Sequence, residues 1–229
     1  MKNIYFKVAK KLEHFLLDVE YAFDEGVLVI QGESGAGKTT LLNCIAGLMA
    51  PDEGLIAIGG ETMFSGGAER DGGAPRIGVD RPARARNLGY LFQSYALFPN
   101  MTVEQNILYG VRNRPEYRNG TKRGELVDYA NYIMDTFGIG HLRRKHPRMI
   151  SGGEKQRVAL SRAIVTKPGL LLLDEPFSAL DDETRNVVYG EFQQFREKFR
   201  IPAILITHDA RESEMFGDHK LRMKSGKLV

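Results

Sequence analysis

The sequence predicts an α/β protein in which a parallel sheet is interrupted by a helical block. Short apolar runs alternate with helical segments at both ends of the chain, and the pattern from 94 to 165 is helical. The run LLLL at 170–173 is typical of a strand that is buried on both faces. Alternating strands and helices favour a parallel sheet, so the helical block is predicted to be an insertion.

The first part of the chain is rich in predicted strands. A helix is predicted from Lys38 to about Met49, because Pro51 follows. Residues 65–86 are rich in Gly, Arg, Pro and Ala, and they are interpreted as a surface loop with a solvated basic end. The predicted strands of this part are 4–8, 15–23, 27–31, 55–59 and 88–92, and the arginines of the basic end are Arg81, Arg84 and Arg86.

The helical block and the last part of the chain carry clear helix starts. Thr102 with Gln105 forms a predicted capping box, and Ser151 is a predicted N-cap. Strands are then predicted at 170–174, 203–207 and 220–223, with helices between them. One helix face, predicted to pack on the sheet, holds Val188, Phe192, Phe195 and Phe199.

Composition excludes several classes of protein. With 32 basic and 29 acidic residues the net charge is +3, so composition does not indicate a nucleic-acid partner, and we expect none. The single cysteine, Cys44, excludes an intrachain disulfide and is interpreted as a core residue. No secretion signal and no apolar run of ~20 residues is present. We therefore expect a cytoplasmic chain that only a partner could hold at a membrane.

The stretch GESGAGKTT, residues 32–40, predicts a phosphate site. Gly32, Gly37, Lys38 and Thr39 fit the spacing G-x-x-x-x-G-K-[ST], with a strand before and a helix after. Glycines let backbone N–H groups approach one anion, and the helix N-terminus adds its dipole. A chance match in a tight turn is the alternative, which this context disfavours. The predicted nucleotide contacts are Gly32, Glu33, Ser34, Gly35, Ala36, Gly37, Lys38, Thr39 and Thr40.

Acidic residues at the end of the 170–174 strand predict hydrolysis. Asp174 is placed to hold Mg²⁺ together with Thr39, and Glu175 is placed to polarise a water. An isolated acidic pair could instead be solvated or cap a helix. His208 ends the next predicted strand and could reach the same sheet edge, although a single histidine there is usually a loop residue.

A second anion site is predicted at SGGEKQR, 151–157. Ser151 caps the helix, and Gly152 and Gly153 leave its first turn bare. A flexible helix start is the alternative. One nucleotide does not need two such helix ends from one chain, so the surplus suggests that two chains share each nucleotide.

In these motifs the chain resembles the ATP-binding subunits of ABC transporters over nearly its whole length. GESGAGKT is similar to Walker A, LLLLDE to Walker B, ISGGEKQ to the signature, and SALD (178–181) to the D-loop. The resemblance implies a P-loop NTPase (RecA-like) core with an N-terminal antiparallel β subdomain and an inserted α-helical subdomain. It places the core at 1–93 and 166–229 and the helical subdomain at 94–165, with no C-terminal regulatory domain.

The resemblance also implies a mechanism. Two subunits close head to tail over two Mg·ATP, and Ser151, Gly152 and Gly153 contact the nucleotide in trans. Glu175 activates water, while Lys38, Gln93 and His208 assist, and Gln93 joins Thr39 and Asp174 near the metal. Asp181 couples the two sites. The implied partners are permease subunits at the cytoplasmic face of the inner membrane and, indirectly, a solute-binding protein.

Finer features resemble importers of the molybdate, tungstate and sulfate group. They lie in GYLFQSYALFPNMTVEQNILYGV, in the R-x-x-x-LGYLFQ lead-in and in SGGEKQR. The family's adenine-stacking aromatic is missing from the window around Ala9 to Lys11, where Phe6 and Phe15 fit only approximately. Ile150 and Glu154 replace the usual leucine and glutamine of the signature. Alternatives are another importer or exporter, a soluble ABC ATPase, and a nucleotide-binding regulator that does not hydrolyse.

Overall fold

A computed structural model describes residues 3–67 and 76–229. The strands of this part are β1 Ile4–Lys11, β2 Leu16–Phe23, β3 Val27–Gly32, β4 Glu53–Ile58, β5 Glu61–Gly67, β6 Arg76–Asp80, β7 Leu88–Leu91, β8 Leu170–Asp174, β9 Ala203–Thr207, β10 His219–Lys224 and β11 Lys227–Leu228. The α-helices are α1 Lys38–Ala46, α2 Val103–Arg112, α3 Pro115–Arg118, α4 Arg123–Thr136, α5 Gly152–Ile164, α6 Asp182–Phe199 and α7 Ala210–Phe216. None of these helices is both long and apolar enough to span a membrane.

The strands of the described residues form one sheet in the order β6-β5-β4-β1-β2-β11-β10-β3-β9-β8-β7. Neighbours from β10 to β7 pair in parallel, whereas β2, β1, β4, β5 and β6 pair antiparallel in turn. The predicted α/β class, with a parallel core and antiparallel N-terminal strands, is confirmed. Helices α2 to α5 lie between β7 and β8 in the chain. The division at 94 and 165 stays a prediction, since these helices share a core cluster with the sheet.

The central strands β8 and β9 are buried at every position. Leu171, Leu173 and Leu205 pack into one apolar cluster, whereas Leu172 and Ile204 pack into the other. Alternate side chains of a strand point to opposite faces of the sheet, so a continuous apolar run is required when both faces are covered. The double-sided burial predicted from LLLL is therefore present.

The interpretation of 65–86 as a surface loop is wrong for most of the residues that are described, and 68–75 lie outside them. Of its basic end, Arg84 is exposed and Arg81 partly exposed as expected, but Arg86 is buried. The segment contains the end of β5, strand β6 and a short 3-10 turn. Arg86 is 0% exposed and donates hydrogen bonds to the carbonyls of Cys44 and Ile45 and to the Asp80 carboxylate. The last carbonyls of a helix have no partner within it, so Arg86 satisfies the end of α1.

Helix α1 ends at Ala46 rather than near Met49. Gly47 follows in the left-handed region with φ 74°, and a Cβ there would lie 2.4 Å from Nε of Arg86. Both requirements favour glycine, which ends the helix. Cys44 is buried as predicted, and burial raises the pKa of its thiol to about 11.

Candidate functional site

We call the 32–40 loop, between β3 and α1, the cradle, because its backbone can surround an anion. Gly35 and Gly37 have φ 80° and 100°, a region that favours glycine, and Gly37 begins α1 with no side-chain cap. The N–H groups of the first turn of α1 are therefore not satisfied by a capping side chain. A Cβ at Gly32 would lie 2.3 Å from the Met223 carbonyl oxygen. The loop thus rests on β10 and presents the free end of a helix, an arrangement that suits an anion.

Lys38 lies inside this cradle. Its Nζ donates hydrogen bonds of 2.7 Å and 2.8 Å to the carbonyls of Gly32 and Glu33. The side chain is nearly buried. Burial lowers the pKa of its ammonium, while the carboxylates of Glu175 and Asp174 act against that shift. The Lys38 ammonium therefore lies at the N-terminus of α1, near the carboxylates of Asp174 and Glu175.

Asp174 and Thr39 form an oxygen pair beside the cradle. Oγ1 of Thr39 donates a 3.2 Å hydrogen bond to Oδ1 of Asp174. Burial raises the pKa of the Asp174 carboxyl, and the Thr39 hydrogen bond lowers it. Within the described residues, no group of three or more His, Cys, Asp and Glu side chains could hold a metal. The pair fits Mg²⁺, which prefers oxygen ligands and takes its remaining positions from water and phosphate.

Glu175 is held between two other predicted residues. Gln93 Nε2 donates a 2.9 Å hydrogen bond to its Oε2, and His208 Nδ1 lies 3.4 Å from its Oε1. The backbone of Glu175 has φ 45°, unusual for a residue with a side chain and costly unless its surroundings enforce it. The structure therefore brings Gln93, Glu175 and His208 together at the edge where Asp174 ends β8.

Ser151 and Asp181 lie in a second group. Ser151 caps α5, accepting from Glu154 N while the Glu154 carboxylate accepts from Ser151 N, a capping box. The Ser151 N-cap is confirmed. Gly152 lies near Leu180, and a Cβ at Gly153 would lie 2.9 Å from Cγ2 of Thr184.

Asp181 caps the neighbouring helix α6 by accepting from Thr184 N at 2.9 Å. Such hydrogen bonds lower the pKa of its carboxyl. Across 3–67 and 76–229, no hydrogen bond or ion pair joins Ser151 to Asp181 or joins this group to the 32–40 loop. The described residues therefore show no direct polar contact between the Ser151 motif and the 32–40 loop of the same chain, and the role of Ser151 in trans stays a prediction.

Two residues that the sequence does not fully place contact the cradle: Phe15 is predicted only approximately, and Gly226 is not predicted at all. Phe15 lies against the cradle, since a Cβ at Gly37 would lie 3.3 Å from its ring. Phe15 also lines a small cavity of about 100 Å³ together with Gly35 and Ser225. Phe6 is fully buried in the core and cannot reach a ligand. Gly226, at φ 79° in the turn from β10 to β11, donates from N to the Ala36 carbonyl. The Ser-Gly pair at 225–226 is a turn signal, but no local pattern places this turn against the 32–40 loop.

Comparison with known proteins points to one family. The family model "ABC transporter" matches residues 16–178. The chain is 40% identical over 220 residues to the molybdate/tungstate import ATP-binding protein WtpC of Thermococcus kodakarensis, covering 95% of this chain and 60% of that protein. It is 35% identical over 223 residues to WtpC of Archaeoglobus fulgidus, covering 97% and 84%.

A third relative is the molybdenum import ATP-binding protein ModC of Haemophilus influenzae, 37% identical over 203 residues, with 89% of this chain and 52% of that protein covered. The chain thus spans about 60% of the first relative's length. In structure it resembles MJ1267 in its ADP conformation, an ATP-binding cassette of an ABC transporter, with TM-score 0.78, 22% identity, and 100% and 90% coverage. It also resembles cbiO1 of Clostridium perfringens, with TM-score 0.77, 23% identity, and 100% and 87% coverage.

Replacing Asp174 with Asn should stabilise the free protein. Burial raises the pKa of the Asp174 carboxyl, so its ionised form lowers folding stability at neutral pH. Asp174→Asn removes that cost and keeps an acceptor for Thr39. We expect the melting temperature at pH 7, measured with a chelator, to rise by about 3 °C.

The gain should shrink as the pH falls toward ~4, because the wild-type carboxyl is then protonated. Asp128→Asn, at an exposed position of α4, is the matched control and should change the melting temperature little. A gain that is independent of pH, or a loss at pH 7, would contradict this account of Asp174.

Proposed function

This chain belongs to the ABC transporter family, and we propose that it is the ATP-hydrolysing subunit of an ABC importer, acting as a peripheral protein at the cytoplasmic face of the cell membrane. The observation that supports hydrolysis most directly is the placement of Glu175 between Gln93 and His208. This carboxylate stands at the sheet edge where the 32–40 loop and Asp174 would hold a nucleotide and its metal.

The catalytic roles follow from charge and position. The N–H groups of the loop and the Lys38 ammonium would bind the phosphates, and Thr39 with Asp174 would hold Mg²⁺. Glu175 would accept the proton of the attacking water, while His208 and Gln93 orient that carboxylate and the γ-phosphate. Fixed dipoles and charges aimed at the phosphoryl oxygens would stabilise their developing charge.

The second anion site supports a dimer. Within the described residues the first turn of α5, at Ser151, makes no hydrogen bond or ion pair to the 32–40 loop of its own chain, and we propose that it reaches a nucleotide bound to a second copy. Asp181, which lies on the neighbouring cap of α6, would then stand between the two sites. We propose a head-to-tail dimer that binds two ATP.

Phe15 supports recognition of the base. Its half-buried ring stands beside Gly37, the N-cap residue of the phosphate-binding helix α1. An aromatic ring at that place offers a face on which adenine could stack. Stacking accepts other bases too, so nucleotide preference would be set by this contact only weakly.

A groove next to Gln93 supports a permease partner. Its volume is about 410 Å³, and its lining includes Tyr90, Phe92, Phe98 and Tyr109. Tyr90 stacks on Phe92 with centroids 4.1 Å apart and donates a 3.2 Å hydrogen bond to Asn43 of α1. The Tyr90–Asn43 hydrogen bond connects this apolar groove to the phosphate-binding helix α1, so a segment bound in the groove would respond to nucleotide binding. We propose that a segment of the permease occupies it.

The transported solute is proposed to be molybdate or a related oxyanion such as tungstate. Support comes from the relatives, which are named import ATP-binding proteins for molybdate, tungstate or molybdenum. The ATPase subunit would not touch the solute. Selection would fall to the permease and, indirectly, to a solute-binding protein outside the membrane.

Two substitutions test hydrolysis. Lys38→Ala removes the charge at the phosphates, so we expect ATP binding and turnover to be lost. Glu175→Gln removes only the proton acceptor, so ATP should still bind while kcat falls at least about 100-fold. The measurements are nucleotide binding and steady-state phosphate release with Mg·ATP.

Glu116→Gln, at an exposed position of α3, is the control and should match the wild type. If Lys38→Ala left kcat/KM unchanged, the phosphate assignment would be wrong, and a fully active Glu175→Gln would remove the proposed base.

Tyr109→Glu tests the partner. Tyr109 lines the groove and is 42% exposed, so a carboxylate there would be buried by an apolar occupant at a cost of several kcal/mol. We expect the membrane-bound fraction in the native cell to fall about tenfold, while the isolated chain keeps its ATPase rate. Tyr132→Glu, 46% exposed on α4, is the matched control. Equal membrane binding by both variants would place the partner elsewhere.

A further inference from the structure

The turn that follows Gln93 is strained. Tyr95 and Ala96, neither of them glycine, lie in the left-handed region with φ 61° and 44°. Each such residue costs of order 1 kcal/mol or more, and it persists only where neighbouring contacts enforce it. Tyr95 is also 6% exposed, and its buried hydroxyl has no hydrogen-bond partner among the described residues. This conformation is therefore not explained by the turn's own residues.

Arg162 supplies the contacts that hold the turn. It lies in the last turn of α5, and its guanidinium donates hydrogen bonds of 2.7 Å to the Ala96 carbonyl and 2.8 Å to the Tyr95 carbonyl. The same guanidinium stands 5.5 Å from the centre of the Phe98 ring, within cation–π range. The Arg162 guanidinium thus contacts Tyr95, Ala96 and Phe98 at once.

The fork of Arg162 fits this task better than a lysine would. The planar guanidinium presents two N–H donors at fixed spacing, so it can bind two successive carbonyls at once. These two carbonyls belong to the two left-handed residues, whose peptide groups would otherwise relax. We call these two hydrogen bonds, from Arg162 to the carbonyls of Tyr95 and Ala96, the brace.

We propose that Arg162 is a positioning residue: it braces the turn so that the Gln93 amide stays on the Glu175 carboxylate, and it thereby joins helix α5 to the catalytic edge. The proposal rests on the proposed function for the role of Glu175, but the brace itself does not. Arg162 also lines the groove proposed for the permease. A segment bound there would contact the brace directly and so change the hold of Gln93 on Glu175.

The brace has a consequence for the dimer. Helix α5 is 13 residues long, with Ser151 at its start and Arg162 in its last turn. A 13-residue α-helix is one continuous hydrogen-bonded element about 20 Å long, so a shift of α5 when Ser151 engages a nucleotide would displace Arg162 as well. Arg162 is the side chain through which that displacement would pass.

Hydrogen exchange tests the brace without any need for hydrolysis. The amide of Tyr95 donates to the Phe92 carbonyl at 2.8 Å and is expected to be protected in the wild type. Arg162→Gln should speed exchange of the peptide spanning 93–98 at least about tenfold. Arg162→Lys keeps the positive charge but loses the fixed planar fork, so it should give an intermediate rate.

Arg114→Gln is the matched control. Arg114 also donates to a backbone carbonyl beside the groove, that of Thr166 at 2.7 Å, but it makes no hydrogen bond to the turn. It should leave exchange of 93–98 unchanged. If Arg162→Gln did not speed exchange there, or if Arg114→Gln did so equally, the brace would be refuted whether or not the chain hydrolyses ATP.

A double-mutant cycle tests the action through Gln93. Arg162→Gln should lower kcat about tenfold in the wild type but less than about twofold in a Gln93→Ala background, because the positioned group is then absent. Loss of folded protein would lower both rates by the same factor. Equal effects in the two backgrounds would therefore overturn the positioning role. The ATPase rate of Arg114→Gln tests the proposed hydrolysis separately, because this variant leaves the Arg162 contacts in place.

Discussion

The parallel pairing of β3, β9 and β8 is the constraint on which the rest of the structure depends. Gln31 pairs with Thr207, and Asp174 pairs with Ile206, so the three strands end at one level. The phosphate loop, His208 and Glu175 follow these ends directly. A shift of one residue in register would turn every side chain of a strand to the opposite face. Double-sided burial of β8 and β9 makes such a shift costly, and it thereby fixes the site.

Charge at this edge is arranged for a ligand rather than for the stability of the free chain. Asp174 is buried, and its carboxyl has a raised pKa; Lys38 is drawn onto two loop carbonyls. Glu175 adopts a left-handed backbone and is held by the Gln93 amide. Burial of the Asp174 and Lys38 charges and the left-handed backbone of Glu175 oppose folding slightly, and the hydrogen bonds to Lys38 and Glu175 offset part of that cost.

The sequence predicts those parts of the site that are local in the chain. The spacing of Gly32 to Thr39, the acidic end of the leucine strand and the Ser151 cap each combine a motif with its element, so they could be found without a structure. The contacts of Arg86 and Gly226 could not, and Phe15 was placed only approximately. Arg86 satisfies the end of α1 from a distant segment, and Gly226 supports the loop from the last hairpin; such contacts depend on tertiary neighbours that no local pattern encodes. Composition also concealed β6: Ile77 and Val79 alternate in RIGVD, but the strand is short and lies in a segment rich in Gly, Arg, Pro and Ala.

The N-termini of α1 and α5 in one chain are proposed to bind two different nucleotides, each of which also contacts the second copy. Sedimentation velocity of Glu175→Gln, with and without Mg·ATP, tests this claim most directly, because slow turnover would hold the ATP-bound state. The account predicts a monomer without nucleotide and a dimer that retains two ATP with it. Ser151→Arg in the same background should restore the monomer while ATP still binds. A saturated monomer, alone and with its membrane partner, would contradict the shared site and leave Ser151 as a helix cap.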